Sequence, residues 1–534
     1  MTATLLTCAS PVLILGLGSS GLAMARWCAR HGAAVTVADT RSAPPGLNTL
    51  RREWPQARFV AQPLDAALLD DAAGPFAAIY RSPGLPPAEI AALTQAAQAR
   101  GIPVRGELDL FGAALAALKA DRGYAPAVLA VTGTNGKTTV TSLTAQLVRR
   151  AGRSVRAAGN IGPTLLDTLQ AALDADDLPR VWVLELSSFQ LEAAQTFEPT
   201  AAVLLNITQD HLDWHGDMRA YAHAKAKVFG ARGAMILNRD DALTWAMRPA
   251  PPAPAVKGVK AKTRQEPRAV LSFGINPPAA PGDYGLEDTG GMTWLVRALT
   301  PAEAGEGERR RAAEGTAACA LHIQRLMPAG ALRIRGRHNA LNALAALALA
   351  SQAGCALAPM LHGLREYRGE PHRVEPVALL DGVEYFDDSK GTNVGATVAA
   401  LNGLGAERRV VAILGGDGKG QDFAPLAGPL ARFARGAVLI GRDAPIIEAA
   451  VQHALAQAGL PLVRAGDMPG AVAQARRLAR PGDAVLLSPA CASFDMFRDY
   501  AHRAEAFRAA VAELARQQGI EPDMQTSPLA ETTS

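Results

Sequence analysis

Short, fully apolar runs alternate along this chain with helical stretches that are rich in alanine and leucine. The apolar runs are PVLILGLG, AAVTVAD, AVLAVTG, VWVLELSS, AAVLLNIT, RVVAILGG, GAVLIG and DAVLLSPA. Apolar runs of this length flanked by glycine are typical of strands that are buried on both faces, and the helices between them complete parallel βαβ units. The pattern therefore predicts an α/β protein whose strands fall into three groups.

The three groups of strands predict three domains, each a mainly parallel sheet flanked by helices. The boundaries follow turn-like and polar segments, which gives domains at 1–121, 122–337 and 338–519 and a disordered polar tail at 520–534. The second domain carries two low-complexity insertions, at 248–268 and 301–318. The basic run Arg309–Arg311 in the second insertion leaves contact with RNA open, but a solvated surface segment is the favoured interpretation.

Composition and charge narrow the class of protein. The 534 residues include 49% hydrophobic and 19% charged residues, which supplies a sizeable core, and the net charge of +4 requires neither a nucleic-acid nor a membrane partner. The 5 cysteines are scattered and form no C-x-x-C pair, which is typical of a reducing cytosol. The apolar start resembles a secretory segment, but no Lys or Arg precedes Arg26. We expect a cytoplasmic protein without a membrane span.

A glycine-rich turn, Gly16-Leu-Gly18-Ser-Ser-Gly21, follows the first predicted strand and opens a helix. Free N–H groups at such a helix start bind anionic phosphate, and Asp39, which ends the next predicted strand, is placed to bind a ribose hydroxyl. The turn indicates a dinucleotide or a nucleotide-sugar diphosphate. A turn that binds nothing remains the alternative.

A second glycine-rich loop, Gly133-Thr-Asn-Gly-Lys137-Thr-Thr139, lies between a predicted strand and a predicted helix. Backbone N–H groups of such a loop surround phosphate oxygens, the lysine offsets charge on the β/γ side, and a neighbouring hydroxyl reaches Mg²⁺. The spacing departs from the usual phosphate loop, because no glycine lies five residues before Gly136. The loop predicts an ATP site.

Acidic and imidazole side chains follow two later strands of the same group. Glu185 comes directly after VWVL, and Asp210, His211 and Asp213 come after AAVLLNIT. Carboxylates and an imidazole beside an ATP loop are suited to Mg²⁺, although each alone is more often a helix cap or a surface residue. Their shared place at strand carboxyl ends favours a magnesium site.

The third group carries further polar motifs that suit a small acidic substrate and the edge of a nucleotide. Taken one at a time, each of them is equally compatible with a capped turn. They are Gly336–Asn339, His372-Arg373, Asp387–Asn393, Gly415–Lys419 and Ser488–Ser493.

Together these motifs resemble the Mur ligase family of ATP-dependent amide ligases in peptidoglycan synthesis. The resemblance rests on GTNGKTT, LELSSFQLE, NIT-x-DHLD, GRHN, DDSKGTN and LLSPACASFD. It implies an N-terminal Rossmann-like domain for the UDP sugar, a central ATP domain of phosphate-loop type and a Rossmann-like C-terminal domain for the amino acid. The resemblance implies the addition of D-glutamate to UDP-N-acetylmuramoyl-L-alanine through an acyl phosphate. We expect a monomer, although no motif bears on the oligomeric state.

The resemblance also implies roles for individual residues. The UDP-sugar site is expected to contain Ser19, Ser20, Asp39, Arg41, Ser82, Gly84, Asn160 and His211. The ATP site is expected to contain Gly133, Thr134, Asn135, Gly136, Lys137, Thr138, Thr139, Asn339, Arg373 and Asp388. D-Glutamate is expected to contact Thr392, Lys419, Ser493, Phe494 and Tyr500. The expected catalytic residues are Lys137, Glu185, His211, Lys225 and Lys390, and the expected Mg²⁺ site contains Thr138, Glu185, His211 and a carbamylated Lys225.

Three rival functions share part of this pattern. A nicotinamide-dependent dehydrogenase shares the first glycine-rich turn, but this function does not explain the GTNGKTT loop. A folylpolyglutamate synthase shares the ATP loop but gives no reason for the N-terminal Rossmann-like unit. A nucleotide-binding module without activity is distinguished from a ligase by substrate-dependent phosphate release.

Overall fold

The computed structural model describes residue 8 and residues 10–70, 75–250, 268–300, 303, 305 and 321–519. Nearly all of the two predicted insertions, at 248–268 and 301–318, and the whole of the predicted tail at 520–534 lie outside the described residues. The expectations for these segments, including the basic run, therefore stay predictions.

The first sheet is parallel and has the strand order β3-β2-β1-β4-β5. Its strands are β1 (Val12–Leu15), β2 (Val35–Asp39), β3 (Arg58–Ala61), β4 (Ala78–Arg81) and β5 (Val104–Arg105). Its helices are Ser19–Arg30, Leu47–Glu53, Ala91–Ala99 and the 3₁₀ turn Ala66–Asp70. The order reverses beside β1, so the turn after β1 lies at the point where open α/β sheets bind ligands.

The second sheet is also parallel, with the order β11-β10-β9-β6-β8-β7. Its strands are β6 (Ala127–Thr132), β7 (Val155–Gly159), β8 (Val181–Glu185), β9 (Ala201–Leu204), β10 (Ala234–Asn238) and β11 (Val270–Phe273). Its helices are Lys137–Arg150, Leu165–Asp174, Ser188–Ala193, Leu212–His215, Met218–Ala226, Ala242–Trp245 and the 3₁₀ turn Lys227–Phe229. The loops after β6, β8 and β9 therefore open at one edge of the sheet.

A three-stranded antiparallel sheet follows, which the sequence pattern did not predict. It consists of β12 (Tyr284–Thr289), β13 (Met292–Ala298) and β14 (Ile323–Pro328), followed by the 3₁₀ turn Ala329–Ala331. Gly290 and Gly291 connect β12 to β13 with φ angles of 60° and 75°, which are the left-handed conformations that a tight hairpin turn requires. The Gly-Gly pair was the available signal for this hairpin.

The last sheet has the order β15-β16-β20-β17-β18-β19 and is parallel except for the antiparallel pair β15–β16. Its strands are β15 (Glu375–Leu380), β16 (Val383–Asp387), β17 (Val410–Gly415), β18 (Ala434–Ile440), β19 (Leu462–Arg464) and β20 (Ala484–Leu487). Its helices are Val394–Gly405, Ala427–Phe433, Ala444–Gln457, Met468–Leu478, Tyr500–Gln517 and the 3₁₀ turn Ala424–Leu426. Mainly parallel sheets between helices match the predicted fold class.

Helices pack across both of the predicted domain boundaries. Helix Glu107–Arg122, which the sequence analysis gave to the first domain, packs against helix Leu165–Asp174, and the Phe111 and Trp182 rings meet edge to face at 5.2 Å. Helices Arg337–Gln352 and Leu357–Glu366 pack against Lys137–Arg150 of the central sheet, because their apolar faces complete its core. The last sheet itself begins only at β15.

Candidate active site

The phosphate-type loop Gly133–Thr139 connects β6 to the helix that begins at Lys137. Gly136 has a φ of 84°, and a Cβ there would lie 2.8 Å from the Asn342 side-chain oxygen, so both the backbone conformation and the space require glycine. The Asn135 backbone N–H donates to the Asn206 side chain at 2.8 Å. These constraints hold the loop in one shape at the start of a helix, where free N–H groups favour anions.

Two lysine side chains converge on the carbonyl of Gly133. Lys137 Nζ donates to the Gly133 and Thr134 carbonyls at 2.9 Å each, and Lys225 Nζ donates to the Gly133 carbonyl at 2.8 Å. Burial lowers the pKa of Lys137, and burial followed by the Lys137 charge lowers the pKa of Lys225 well below its usual value. Lys225 is 1% exposed, and the Tyr221 ring lies 4.7 Å from its ammonium. Spacing in the sequence, without the family resemblance, predicts that Lys225 and Lys227 both face solvent. The structure contradicts this prediction for Lys225, which is buried, and only the resemblance assigned it to the site.

Glu185 ends β8 and is buried with one carboxylate oxygen available. Asn160 Nδ2 donates to Oε1 at 2.7 Å, whereas Oε2 has no hydrogen-bond partner among the described residues. A buried carboxylate oxygen without a partner is costly, so a ligand at this point would stabilise the arrangement. Glu185 and Asn160 both line the cleft described below.

His211 follows β9 in a left-handed conformation, with a φ of 54°. Its ring meets the Phe189 ring edge to face at 4.7 Å, and its Nδ1 lies 3.7 Å from Asp210 Oδ1. Burial lowers the pKa of His211, because the charged imidazolium loses its hydration there, so the neutral ring is favoured. A neutral imidazole is the form that binds a metal ion.

The C-terminal domain closes the opposite side of a cleft of about 810 Å³. Arg373 Nη2 donates to Thr138 Oγ1 at 2.7 Å, which joins this domain to the phosphate loop. Lys390 Nζ lies 3.6 Å from the centre of the Tyr500 ring, and Lys419 lines the same wall. The structure therefore brings these predicted site residues to one cleft: Thr134, Asn135, Gly136, Lys137, Thr138, Asn160, Glu185, His211, Arg373, Lys390, Thr392, Lys419 and Tyr500.

Several other predicted site residues lie outside the lining of this cleft. Gly133 and Thr139 are the two ends of the loop itself, and the buried Lys225 supports the loop through its hydrogen bond to the Gly133 carbonyl. Asn339 is buried and donates to the Arg335 carbonyl at 2.8 Å. Asp388 accepts from the Ser488 hydroxyl at 2.6 Å, and burial raises its pKa to about 7. The polar atoms of Asn339 and Asp388 are thus engaged inside the protein, so both residues shape the walls in this structure.

Ser493 and Phe494 also lie outside the lining, although both were expected at the amino-acid site. The Ser493 side chain is buried, and its backbone carbonyl accepts from the Phe497 N–H at 2.8 Å. Phe494 is 68% exposed, and its ring centre lies 6.0 Å from Lys419 Nζ. Phe494 therefore lies beside a residue of the cleft wall without lining the cleft itself.

The predicted UDP-sugar residues of the first domain lie at the carboxyl ends of β1, β2 and β4. Asp39 accepts from the Leu17 backbone N–H and from Arg41, each at 2.8 Å. Burial raises the pKa of Asp39, but the hydrogen bonds from Arg41 and Leu17 outweigh that effect and hold the pKa at about 2. Ser82 Oγ donates to the Gly16 carbonyl at 2.9 Å. Ser19 and Gly84 are exposed, and Ser20 is half-buried.

The cleft also contains residues that the sequence analysis did not assign to the site. His372 Nδ1 lies 2.7 Å from the buried Asp387 Oδ2, and Asn393 and Gln421 line the C-terminal wall. Asp210, which was noted as a carboxylate in its motif, lines the central wall. All except Gln421 lie inside or next to motifs already singled out, so position in those motifs was the signal that could have found them. Among helices of the described ranges, none has the length and apolar character of a membrane span.

Three family models match the chain in order. They are the Mur ligase MurD-like N-terminal domain at 10–106, the Mur ligase middle domain at 131–278, and the Mur ligase glutamate ligase domain at 372–491. The fold is similar to MurF ligase from Thermotoga maritima in complex with ADP, with a TM-score of 0.55 at 15% identity over 96% of both chains. It is also similar to a pseudomurein peptide ligase type C from Methanothermus fervidus, with a TM-score of 0.51 at 16% identity over 95% of this chain and 100% of that chain.

Relatives with much higher identity align over nearly the whole chain. A UDP-N-acetylmuramoylalanine–D-glutamate ligase from Albidiferax ferrireducens is 62% identical over 95% of this chain and 97% of its own length. Proteins of the same name from Polaromonas sp. and Burkholderia pseudomallei are 54% and 58% identical, each over 95% of this chain and 98% of their own length. Identity of this extent, together with three consecutive domain matches, shows that the chain belongs to the Mur ligase family.

Proposed function

We propose that this chain is an ATP-dependent ligase that joins D-glutamate to UDP-N-acetylmuramoyl-L-alanine in the synthesis of peptidoglycan precursors. The observation that carries the proposal is the cleft itself, in which the phosphate loop of one domain faces Arg373, Lys390 and Lys419 of another. Cations on two facing walls suit a reaction between anionic reactants. The names of the relatives at 54–62% identity support the choice of substrates.

The triphosphate is proposed to bind the loop Gly133–Thr139, with Lys137 on its β/γ side. In the structure the Lys137 ammonium occupies the loop and bonds to its own carbonyls. When phosphate oxygens enter, they are stronger partners for an ammonium than neutral carbonyls are. The ion then moves from the carbonyls to the phosphate. Thr139, Asn339 and Asp388 are proposed to act on ATP through the shape of the wall.

The UDP sugar is proposed to lie across the first domain, with its diphosphate at the start of helix Ser19–Arg30. Asp39 already accepts hydrogen bonds from the Leu17 N–H and from the backbone and guanidinium of Arg41, which fill its acceptor sites. Its proposed role is therefore to fix the partly exposed Arg41 beside the Gly-rich turn, for contact with the UDP group. Ser82 and Gly84 flank the same turn from β4. The muramoyl-alanine end then reaches the cleft at Asn160 and His211, which line it.

D-Glutamate is proposed to bind the C-terminal wall, where Lys390, Thr392 and Lys419 meet Tyr500. Two ammonium groups suit a substrate with two carboxylates, and a threonine hydroxyl adds directional hydrogen bonding. Ser493 and Phe494 are proposed to join this site when their loop moves toward the cleft. Domain closure of this kind excludes water from a reactive intermediate.

Mg²⁺ is proposed to bind between Thr138, Glu185, His211 and Lys225. The unpartnered Glu185 Oε2 and the neutral His211 ring fit a divalent cation, whereas the Lys225 ammonium does not. Carbamylation resolves this conflict, because the neutral amine combines with CO₂, releases a proton and becomes an anionic oxygen ligand. When bound, Mg²⁺ offsets the negative charge of the triphosphate.

The chemistry proceeds in two transfers. The alanyl carboxylate attacks the γ-phosphorus of ATP, so that the bond to ADP breaks and an acyl phosphate forms. The amine of D-glutamate then attacks the acyl carbon, loses a proton to a base and expels inorganic phosphate. Lys137, Arg373 and Lys390 stabilise the negative charge that is shared between reactants in both steps.

A substrate panel tests the proposal. The full chain is incubated with ATP, Mg²⁺ and UDP-N-acetylmuramoyl-L-alanine, together with D-glutamate, L-glutamate, D-aspartate, glycine or meso-diaminopimelate in turn, and phosphate release is measured. We expect release with D-glutamate and background release with the others. Release that depends on diaminopimelate, or no release with any amino acid, would contradict the assignment.

The remaining expectations are proposals with their own measurements. The use of ATP as a substrate supports a cytoplasmic location, which cell fractionation tests. A monomer is expected in solution, which light scattering coupled to gel filtration tests. The carbamate on Lys225 predicts incorporation of ¹³C from labelled bicarbonate, with a single carbamate signal in the carbon NMR spectrum.

A further inference from the structure

Two side-chain amides from different domains pair across the cleft. Asn135 belongs to the phosphate loop, and Asn393 is the N-cap of helix Val394–Gly405 in the C-terminal domain. Asn135 Nδ2 donates to Asn393 Oδ1 at 3.2 Å, and Asn393 Nδ2 donates back to Asn135 Oδ1 at 3.1 Å. A reciprocal amide pair fixes both the distance and the mutual orientation of the two groups.

Asn393 uses its polar atoms in both domains at once. Its Oδ1 also accepts from the Ala396 backbone N–H at 2.9 Å, which caps its own helix, and its Nδ2 also donates to Asp210 Oδ2 at 3.3 Å. The side chain is buried. Because Asp210 lines the cleft beside His211, Asn393 connects the helix start to two separate loops of the ATP domain.

The first turn of the same helix approaches the ATP domain closely at Gly395. A Cβ on Gly395 would lie 2.7 Å from Thr208 Oγ1 and 3.2 Å from Asn135 Nδ2. Neither distance leaves room for a methyl group without displacement, and the branched Thr208 side chain has few alternative rotamers. The helix can therefore lie against the phosphate loop only because this position lacks a side chain.

We propose that Asn393 is a positioning residue. It fixes the amino-acid wall, which consists of Lys390, Thr392, Lys419 and Tyr500, relative to the phosphate loop. Lys390 and Thr392 precede Asn393 in the same loop and line the cleft, so an Asn393 fixed on Asn135 also fixes the loop that carries them. The inference rests on the proposed function. It adds that the loop that binds the transferred phosphate also fixes the position of the domain that binds the incoming amine.

This arrangement has a consequence for the yield of the reaction. An acyl phosphate can react with water until the amine arrives, and the position of the amino-acid wall decides which of the two attacks first. Loss of the amide pair should make that position less well defined. The ligase would then consume more ATP for each amide bond formed, and D-glutamate would bind less well.

Asn393→Ser tests the proposal without removing the helix cap, because serine caps helices about as well as asparagine but is too short to pair with Asn135. We expect KM for D-glutamate to rise about tenfold, as for the net loss of one to two neutral hydrogen bonds. The ratio of ADP released to amide formed should also rise above one. The thermal midpoint and KM for ATP should change little. Asp467→Ser, an N-cap outside the cleft that holds the Gly470 N–H at 2.8 Å, is the matched control.

Gly395→Ala is an independent variant, because it keeps both amide side chains but pushes the start of helix Val394–Gly405 away from Thr208 and Asn135. It should reproduce the raised ADP-to-amide ratio, and Thr208→Ala in the same chain should partly restore coupling by removing the nearest atom. In an Asn135→Ser background, Asn393→Ser should add no further loss of coupling. Unchanged KM and coupling in Asn393→Ser, with an active parent enzyme, would overturn this inference alone. An inactive parent would instead overturn the proposed function.

Discussion

Replacement of Lys225 by methionine should raise the stability of the protein while abolishing its activity. Lys225 is 1% exposed, its ammonium donates one hydrogen bond to the Gly133 carbonyl, and the neighbouring cation is Lys137. Asp210 and Glu185 lie near enough to raise its pKa, but their effect is smaller than that of burial and Lys137, and neither forms an ion pair with Lys225 among the described residues. A buried amine in this setting is kept for function, and an apolar side chain of similar length removes its desolvation cost.

The magnitude follows from the burial. Replacing a buried ion pair by apolar residues of similar volume is often neutral or stabilises a protein by about 1–4 kcal/mol. The gain at Lys225 lies below the top of this range, because the buried amine lowers its desolvation cost by releasing its proton. We therefore expect Lys225→Met to gain about 1–3 kcal/mol in CO₂-free buffer, or about 2–4 °C in the thermal midpoint per kcal/mol for a domain of roughly this size. Ligase activity should fall to background.

The gain should depend on pH in a defined direction. Unfolded Lys225 keeps its proton up to its usual pKa of 10.5, whereas burial makes the folded chain release it at lower pH. Between the two values the unfolded parent binds more protons, so the stability of the parent rises with pH. Methionine binds none, so the advantage of Lys225→Met should shrink as pH approaches 10.5.

Lys227→Met is the matched control on the same helical segment. Lys227 is partly exposed and pairs with Glu192 at 2.9 Å, so its loss should cost under about 1 kcal/mol and leave most of the activity. Added bicarbonate should stabilise the parent and Lys227→Met but not Lys225→Met. Destabilisation by Lys225→Met, or full activity in that variant, would refute the reasoning.

Three further predictions concern separate parts of the molecule. Lys137→Ala should remove phosphate release while calorimetry still detects binding of the UDP sugar, because that ligand is proposed to lie in the first domain; phosphate release at the parent rate would contradict the ATP assignment. Asp39→Asn removes the carboxylate that holds Arg41, and should weaken UDP-sugar binding about tenfold without changing KM for ATP, as calorimetry and kinetics would measure. Phe111→Ala should destabilise the boundary between the first and second domains by about 3–5 kcal/mol in urea unfolding, since it removes the ring packed on Trp182. A loss below about 1 kcal/mol there would contradict a shared core.

The parallel sheets could be predicted from the sequence because strands that are buried on both faces consist of uninterrupted apolar residues. Runs such as VLIL and VWVL recur as β1 and β8, and the polar residues that follow them lie at the carboxyl edges as expected. The antiparallel β12–β14 was missed because its strands are half-exposed and mix polar with apolar residues. Its Gly290-Gly291 turn is the local sequence signal that indicates a hairpin there.

Residue types indicated the chemistry of the site but not which side chains reach the cleft. Asp388 and Asn339 lie in the right motifs, yet each is buried and hydrogen-bonded inside the protein. No spacing rule distinguishes such a bond from a ligand contact. Lys225 was placed by resemblance, because burial of a lysine depends on packing from distant segments. Asn393 was missed as a positioning residue, since its partner Asn135 lies 258 positions away in the chain.

Transfer of oxygen from the alanyl carboxylate to phosphate is the most direct test of the account. UDP-N-acetylmuramoyl-L-alanine labelled with ¹⁸O in that carboxylate is incubated with the full chain, ATP, Mg²⁺ and D-glutamate, and the released phosphate is analysed by mass spectrometry. If the cleft forms an acyl phosphate that the amine then attacks, each phosphate should carry one labelled oxygen. Amide formation with unlabelled phosphate would contradict the central claim.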